Sequence, residues 1–555
     1  MRSTTIASSL AVLASLVRAA DPVWPQDSDF FEDLLAMQGG YRRFGFTDLV
    51  VPCSHNSNIP GKQVAAEWLR TAFHDVATHD KAAGTGGLDA SIFYEVARSE
   101  NAGAAFNSTF NDLGEFHSAH VSAADLVALG VVAATASCGG KTIPFRTGRV
   151  DATEAGPAGV PEQDHDLKRT QDAFARMGFS NEDMITLVAC GHTIGSVHGD
   201  TNPDLVAGVG LDPHAPASIA TFDSTPGQFD TVVVTEYLES DGKNPLVFGT
   251  NQTTNSDARV FASDGNATMR ALADPQTFQE RCADAFARMI DTVPAGVRLG
   301  EPVRLYDVKP YIERLEPLAG GKVALEGSVR VRTTAGTGRD SQGIDIALNV
   351  LGGGGGGGGS SNSSTRVDAS RARLRGGDSF GFLGETFSWW EFSAQMDASA
   401  AAIDGFTIEM KTTATGQVQK LDNSGAGRYP LSDELMYVGS QSCLVLTPDA
   451  DDRFPVTIRA AVREELATQG AVPVLEVGHK VYTLGLAIPK IVIRKTPMTK
   501  VEGQAQGGHV LFEAKDALEQ RGWSTTFDLS LEKPSGQKVV VLSRKTNSLS
   551  NSCAN

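Results

Sequence analysis

The stretch Arg70-Thr-Ala-Phe73-His74-Asp75 places a cation, an aromatic ring and an imidazole on one turn of a predicted helix. Arg70 and His74 are four residues apart, so they share a helix face. A second imidazole, His192, ends an apolar helical run in Cys190-Gly-His192-Thr. Two histidines on opposite sides of a flat cofactor would form a redox site, in which one binds iron and the other acts on what the iron binds.

Other interpretations of the first motif remain open at this point. A lone histidine on a helix is more often a structural residue. A non-haem metal site is a second option, because four candidate ligands lie close together: His74, Asp75, His79 and Asp80. Neither option explains Arg70, since a cation disfavours metal binding. Heterolysis of hydrogen peroxide does explain it, because a neutral base must move a proton while a fixed positive charge stabilises the departing oxygen.

The bulk composition limits the classes of partner. The chain has 555 residues, of which 41% are hydrophobic and 21% charged, as in soluble globular proteins of two or three domains. The formal net charge of −18 argues against nucleic acid or an anionic membrane as the main partner. We therefore predict a protein that binds neither.

The first residues predict export from the cell. Met1-Arg2 precedes an apolar stretch, and Val17-Arg-Ala19 supplies small residues before a cleavage point, so residues 1–19 read as a secretory signal peptide. Six cysteines fit an oxidising compartment and allow up to three disulfides. Glycosylation sequons support the same interpretation and occur at Asn107, Asn251, Asn266 and Asn362. We expect a secreted, extracellular protein.

The spacing of apolar residues along the chain changes near residue 300. Before it, apolar residues recur at helical spacing, most clearly over 63–76, 123–136, 181–190 and 276–292. After it, alternating and β-branched runs predict strands at 323–333, 480–489, 490–494 and 538–542. We predict a mainly α domain at 20–300 and a mainly β, sandwich-like domain at 301–555, in one piece or two, with a glycine-rich loop at 352–364.

Several separated motifs between residues 52 and 297 resemble, in order, the haem peroxidases of plants, fungi and bacteria. The stretch 70–75 resembles the distal helix of that family. The stretches 122–126 and 143–149 resemble its central helix and the segment after it, and 187–195 resembles its proximal helix. The stretch 222–231, Phe-Asp-Ser-Thr-Pro-Gly-Gln-Phe-Asp-Thr, is especially similar to the secreted fungal class. The resemblance implies an α-helical peroxidase domain that holds haem b.

The resemblance also implies roles for the residues near the iron. His192 would be the axial ligand, oriented by the carboxylate of Asp264. Phe222 would lie against the ring of His192, in a position where some relatives carry Trp. On the distal side, His74 would act as acid and base and Arg70 would stabilise charge. Asn101 would accept the other proton of His74, and Phe73 would contact the cofactor.

Two calcium ions are implied in the same way, each held by hard oxygen ligands. The first set comprises Asp75, Gly87, Asp89 and Ser91. The second comprises Thr193, Asp223, Thr225, Gln228 and Asp230. Turn capping is the alternative role for any one of these acids. The pair Cys53–Cys138 resembles a disulfide of the family, and Cys190–Cys282 and Cys443–Cys553 are guesses by elimination.

Departures from the family pattern bear on the electron donor. Manganese-oxidising members carry acids where this chain has Val64, Trp68 and His198, and lignin-oxidising members carry an exposed Trp where it has Leu187. We therefore expect hydrogen peroxide and small organic, phenolic-type donors as the substrates. The alternative is a non-enzymatic wall- or carbohydrate-binding protein with a relic peroxidase domain. In that case the β domain would contact carbohydrate, and the pair at 389–390, Trp-Trp, could stack on sugars.

Overall fold

The computed structural model describes residues 21–53, 62–199, 201–206, 219–352, 364–398 and 402–553. The predicted signal peptide at 1–19 and the sequon at Asn362 lie outside these ranges. So does the predicted glycine-rich loop, apart from its end residues Gly352 and Ser364, which belong to strands.

The first half is helical, as the periodicity predicts. The four strongest predictions are confirmed as α2, α4, α6 and α11, and several of these helices begin at a capping side chain. Ser122 accepts a hydrogen bond from the Asp125 N–H at the start of α4, and Ser180 and Asp183 form a capping box on α6. The helices are α1 Asp29–Ala36, α2 Val64–Val76, α3 Ala105–Leu113, α4 Ala123–Ser137, α5 Leu167–Met177, α6 Asn181–Gly191, α7 Val232–Glu239, α8 Pro245–Phe248, α9 Ser256–Phe261, α10 Ala267–Leu272 and α11 Pro275–Ile290.

All six cysteines are paired, and the three predicted pairings are confirmed. Cys53–Cys138 ties the segment before α2 to the end of α4, and Cys190–Cys282 ties α6 to α11. Cys443–Cys553 closes the second half. The second disulfide therefore joins two helices that line the cavity described below.

The second half consists mainly of antiparallel strands, with one short helix, α12 Glu464–Thr468. The short strands β1 Gly39–Gly40, β2 Ser196–His198 and β3 Ile219–Thr221 precede it in the chain. The strands that follow are β4 Val308–Leu318, β5 Lys322–Arg332, β6 Ile344–Gly352, β7 Ser364–Arg371, β8 Asp378–Phe380, β9 Thr386–Asp397, β10 Ile403–Thr412, β11 Val418–Leu421, β12 Leu435–Tyr437, β13 Cys443–Leu444, β14 Arg453–Arg463, β15 Val474–Val481, β16 Lys490–Pro497, β17 Thr499–Gln506, β18 His509–Glu519, β19 Thr526–Glu532 and β20 Lys538–Lys545.

These strands form three stacked layers. The first sheet contains β1 and β4–β11, the middle sheet β12–β14, β17 and β18, and the outer sheet β15, β16, β19 and β20. Neighbouring residues of the middle sheet face opposite cores: Leu435 packs towards the outer sheet and Met436 towards the first sheet. Because side chains alternate along a strand, the middle sheet is buried on both faces. The predicted sandwich is thus a stack of three sheets.

The strand predicted at 480–489 is wrong. Strand β15 ends at Val481, which pairs with Lys490 at the start of β16. Residues 482–489 therefore form the connection of a hairpin, and Gly485 supplies a positive φ of 85° within it. The predictions that match β5, β16 and β20 are confirmed.

Helix α1 contacts both halves: Phe31 and Leu34 lie in the core of the helical half, whereas its acids lie against the first sheet. It packs on the first sheet, where Lys309 Nζ donates hydrogen bonds to Glu32 (3.0 Å) and Asp33 (2.7 Å). Arg330 donates to Glu32 as well. Burial by itself raises the pKa of Glu32, but the Arg330 and Lys309 cations outweigh it and lower that pKa to about 2. Residues 21–44 therefore contact the β half, although the predicted boundary assigns them to the helical half.

Replacing Lys309 by Met should lower the free energy of unfolding by about 3–5 kcal/mol, because the Glu32 and Asp33 carboxylates would stay buried beside only one cation. Lys322→Met is the matched control, since Lys322 pairs with Asp397 on the surface; there we expect a loss of about 1 kcal/mol or less. Urea unfolding of the purified proteins measures both. Equal stability of the two variants would show that the buried cluster does not hold α1 in place.

Candidate active site

A cavity of about 560 Å³ lies between α2 and α6. Arg70, Phe73 and His74 of α2 line one wall, and Leu187 and His192 line the other. Much of the remaining lining is apolar and comes from Phe174, Val188, Ile194, Val260, Phe286 and Met289. The fold thus brings the two predicted histidines to opposite walls of one slot, whose lining is partly apolar and partly polar.

The orientation of His74 is fixed by Asn101. His74 Nδ1 lies 2.8 Å from Asn101 Oδ1, and Asn101 Nδ2 donates to the carbonyl of Glu95 at 3.0 Å. Because Nδ2 is the donor to Glu95, Oδ1 accepts the Nδ1 proton of His74 and leaves Nε2 as the basic nitrogen. Burial, helped by the charge of Arg70, lowers the pKa of His74 to about 3. His74 is therefore a neutral base at ordinary pH.

Arg70 supplies a positive charge on the same wall. Its guanidinium lies over the ring of Phe106, with 4.7 Å between Cζ and the ring centroid, and Nη2 donates to the carbonyl of Ala102 at 3.1 Å. Burial lowers the pKa of Arg70 to about 10, so the group stays charged near neutrality. The ring of Phe106 also contacts His74, with 4.9 Å between centroids. One aromatic side chain thus positions both polar groups.

His192, on the opposite wall, is held from two sides. Its Nδ1 lies 2.8 Å from Asp257 Oδ2, and Asn244 Nδ2 donates to the same oxygen at 2.8 Å. The ring of Phe222 stacks on the imidazole at 4.2 Å with an interplanar angle of 6°. With Nδ1 directed at a carboxylate, Nε2 is the nitrogen free to bind a metal.

The predicted partner of His192, Asp264, is wrong in this structure. Asp264 accepts the N–H groups of Ala267 and Thr268, both at 2.9 Å, at the start of α10. Asp257 is the buried acid, one turn before Phe261 on α9. The sequence signal for this role was the position of the acid on the buried face of a short amphipathic helix. A buried carboxylate needs a hydrogen-bond donor, and an imidazole N–H can supply it.

The second predicted calcium set is brought together by the fold. Thr193 Oγ1 donates to the Asp230 carbonyl at 2.7 Å, and Thr225 Oγ1 donates to Asp230 Oδ1 at 3.1 Å. Gln228 lies in the same turn, where its N–H donates to the Thr225 carbonyl. Asp223 Oδ2 is buried with no hydrogen-bond partner. Burial, with the Asp230 carboxylate nearby, raises the pKa of Asp223 to about 7. A buried, unpartnered carboxylate oxygen among hard oxygen atoms fits a calcium ion.

The first predicted calcium set has a different geometry. The oxygens of Asp75 accept the N–H groups of Asp89 (3.0 Å), Ala90 (2.7 Å) and Ile92 (2.9 Å). Asp89 in turn accepts the N–H of Ser91 at 3.1 Å, and the Gly87 N–H donates to Thr78 Oγ1. The Asp75 carboxylate thus anchors this loop through protein donors. A calcium ion here stays a prediction from the resemblance.

The non-haem alternative has no geometric support. His79 Nδ1 lies 2.9 Å from the carbonyl of Gly86, outside the cavity that His74 lines. Asp80 accepts the N–H groups of Ala82 and Ala83. Within the described ranges, no group of three or more His, Cys, Asp or Glu side chains is arranged to hold a metal ion.

The three positions at which manganese-oxidising family members carry acids do not all lie at the cavity in this chain. Val64 and Trp68 are buried in the helical core and do not line the cavity, whereas His198 does. The polar side chains of this stretch that do line it are those of Lys62, Gln63 and Glu67. The identities of Val64 and Trp68 therefore do not determine which polar groups surround the cavity.

The cavity thus has a neutral histidine beside an arginine on one wall and a carboxylate-bound histidine on another. Residues 54–275 match the sequence model of the family described as Peroxidase. The helical half thus contains a peroxidase-family domain.

Individual relatives match parts of the chain. A WSC domain-containing protein of Arthroderma benhamiae is 43% identical over 321 residues, covering 57% of this chain and 44% of that protein. A peroxisomal L-ascorbate peroxidase 5 of Arabidopsis thaliana is 34% identical over 142 residues, covering 25% and 50%. A mitochondrial cytochrome c peroxidase of Aspergillus fumigatus is 33% identical over 138 residues, covering 24% and 37%. The chain spans about half the length of these relatives, or less.

Proposed function

We propose that this protein is a secreted haem peroxidase that reduces hydrogen peroxide to water and oxidises small organic donors of the phenolic type. Two donor molecules each give up one electron and one proton for every peroxide reduced. The observation that carries the proposal is the pairing of His74, held by Asn101, with His192, held by Asp257, across one slot. The match of residues 54–275 to the peroxidase family supports it.

The residues of the slot fit haem b. His192 Nε2 would bind the iron, Phe222 would keep the imidazole plane in place, and Phe73 would contact the porphyrin from the distal side. The bound haem supplies the redox centre at which the O–O bond of the peroxide is cleaved. Asp257 would strengthen the donor character of His192, since an imidazole that donates to a carboxylate becomes a more basic ligand.

The distal residues would handle the proton and the charge. His74 Nε2 would accept the proton of the peroxide oxygen nearer the iron and return it to the departing oxygen, which leaves as water. Arg70 would stabilise the negative charge that develops on that departing oxygen. A base with a low pKa suits this role, because it stays unprotonated over a wide range of pH until peroxide arrives.

Calcium is inferred for the second set alone. Asp223 and Asp230 would supply carboxylate oxygens, with Thr193 and Thr225 adding hydroxyls and Gln228 a carbonyl. Since Thr193 directly follows His192, an ion here would fix the end of α6 and hence the proximal imidazole.

Secretion is supported by the cysteines. All six form disulfides, as expected in an oxidising compartment. Within the residues that the structure describes, no helix has both the length and the apolar character needed to cross a membrane.

A non-enzymatic wall- or carbohydrate-binding role is the second candidate, favoured by the relative named for a WSC domain. The proposed sugar-stacking pair counts against it, because Trp389 and Trp390 are 0% and 2% exposed. The complete Arg70, His74 and His192 set also favours the enzyme. Turnover of hydrogen peroxide with guaiacol by the full-length protein separates the two candidates.

Replacing His192 by Ala should abolish normal haem retention, whereas His74→Gln should keep haem but slow the reaction with peroxide by about 10²–10⁴-fold, because the base is lost. Soret absorbance measures the first effect and stopped-flow kinetics the second. His79→Gln is the matched control, since His79 lies outside the slot, and should change neither. A His192→Ala protein with an unchanged Soret band would overturn the ligand assignment.

Asp257→Asn should weaken haem binding by about 10–100-fold and raise the haem reduction potential, because His192 loses its anionic partner. Asp264→Asn should leave both properties unchanged and affect only the start of α10. Haem titration and spectroelectrochemistry of the two variants give the comparison. The opposite ranking would restore Asp264 as the partner.

Asp223→Asn should remove one bound calcium ion per chain, measured by elemental analysis of protein purified in calcium. The melting temperature of the native protein should fall on chelation, because the clustered carboxylates would then repel one another. In the variant, chelation should cause a smaller fall. Native protein that holds no calcium would refute the site.

A further inference from the structure

A second cavity, of about 990 Å³, lies between the two halves of the molecule. We call it the interdomain cleft; segments 117–123 and 147–153 of the helical half and 486–493 of the β half line it. Its volume lies near the upper end of the range of small-molecule sites. The cleft is separate from the slot between His74 and His192, with which it shares no lining residue.

One side of the interdomain cleft is apolar. It is formed by the connection from β15 to β16 and by the first residues of β16, including Ile488, Ile491 and Ile493. Ile493 faces the cleft rather than a packed core, so 42% of its surface remains exposed. The ring of Tyr94 lines the cleft from the helical half. An aromatic ligand would cover this apolar surface and gain the free energy of its burial.

Two cations of the cleft are available to an anion, although acids also line it. Asp125 pairs with Arg149 at 2.8 Å, and both oxygens of Asp151 accept backbone N–H groups at the start of α4, at 2.9 Å. The other two lining acids lie beside cationic groups: Glu301 is 4.0 Å from Arg146, and Asp27 is near His120. Lys490 lies over the Tyr94 ring, 5.5 Å from its centroid. Neither Lys490 nor Arg298 has a carboxylate within ion-pair distance in the described part of the chain. The cleft thus offers two cations that lack a protein counter-ion.

A buried polar atom at the cleft also lacks a partner. His117 lines the cleft and is 6% exposed, and its Nδ1 is buried without a hydrogen bond. Its Nε2 lies 3.4 Å from Asp151 Oδ2. Because this nitrogen has almost no exposed surface, a ligand in the cleft cannot reach it while the ring keeps this position.

We propose that the interdomain cleft binds a small aromatic carboxylate. The ring packs between Ile493 and Tyr94, and the carboxylate is held by Lys490 and Arg298. The proposal does not depend on peroxidase activity, because none of these residues lines the haem slot. It assigns to the junction of the two halves a ligand site that neither half contains alone.

The test is calorimetric titration of the full-length holoprotein with 4-hydroxycinnamate and with its uncharged methyl ester. We expect saturable binding of the acid, weaker for the ester by about tenfold or more. The double variant Lys490→Met, Arg298→Met should weaken binding of the acid by about the same factor and leave that of the ester nearly unchanged. Both side chains are exposed, so folding should not suffer.

Lys495→Met is the matched control, because Lys495 lies on the same strand but pairs with Glu476 at 2.9 Å. It should bind the acid like the native protein. Three results would overturn the proposal: no saturable binding at millimolar concentrations, equal affinity for acid and ester, or native affinity in the double variant. The last would place the acid elsewhere, including in the slot.

Discussion

The peroxidase-type site depends on one buried carboxylate. Asp257 Oδ2 accepts hydrogen bonds from His192 and from Asn244, and Asn244 is itself fixed because its Oδ1 accepts the Leu246 N–H at 2.9 Å. A carboxylate away from water is stable only with such donors. The short helices α8 and α9 therefore determine where the proximal imidazole lies, although His192 is at the end of α6.

On the distal wall a hydrogen bond from Nδ1 again orients a histidine, but the partner is the neutral amide of Asn101. Asn101 takes the Nδ1 proton of His74 and is itself oriented by a backbone carbonyl. A carboxylate here would favour the protonated imidazole, whereas an amide leaves the ring neutral. The two imidazoles thus have different partners, a carboxylate for His192 and a neutral amide for His74. The difference lies in the partner of each Nδ1.

Helical spacing was enough to predict the parts of the site that depend on a single helix. Arg70 and His74, four residues apart, share a face of α2. The contacts of Phe222 with His192 and of Asn101 with His74 were expected only from the family resemblance. The sequence did not identify Asp257. Asp257 and Asp264 are only seven residues apart, and only the packing of the short helices determines which of the two carboxylates is buried beside His192. The three-layer stack was missed for a related reason: in the middle sheet, adjacent residues such as Leu435 and Met436 are both buried, so the period-two pattern is lost. The packing of α1 on the first sheet is a contact between distant segments, which local patterns do not report.

The ion-pair cluster around Glu32 can form only late in the synthesis of the chain. The hydrogen-bond partners of Glu32 in the β half, Lys309 and Arg330, are 277 and 298 residues further along the chain. A ribosome makes the acids of α1 long before the cations that allow them to be buried. Until then those carboxylates stay hydrated and α1 has no sheet to cover. The burial of these acids is therefore completed only after the β half has been made, even though Phe31 and Leu34 of the same helix pack in the core of the helical half.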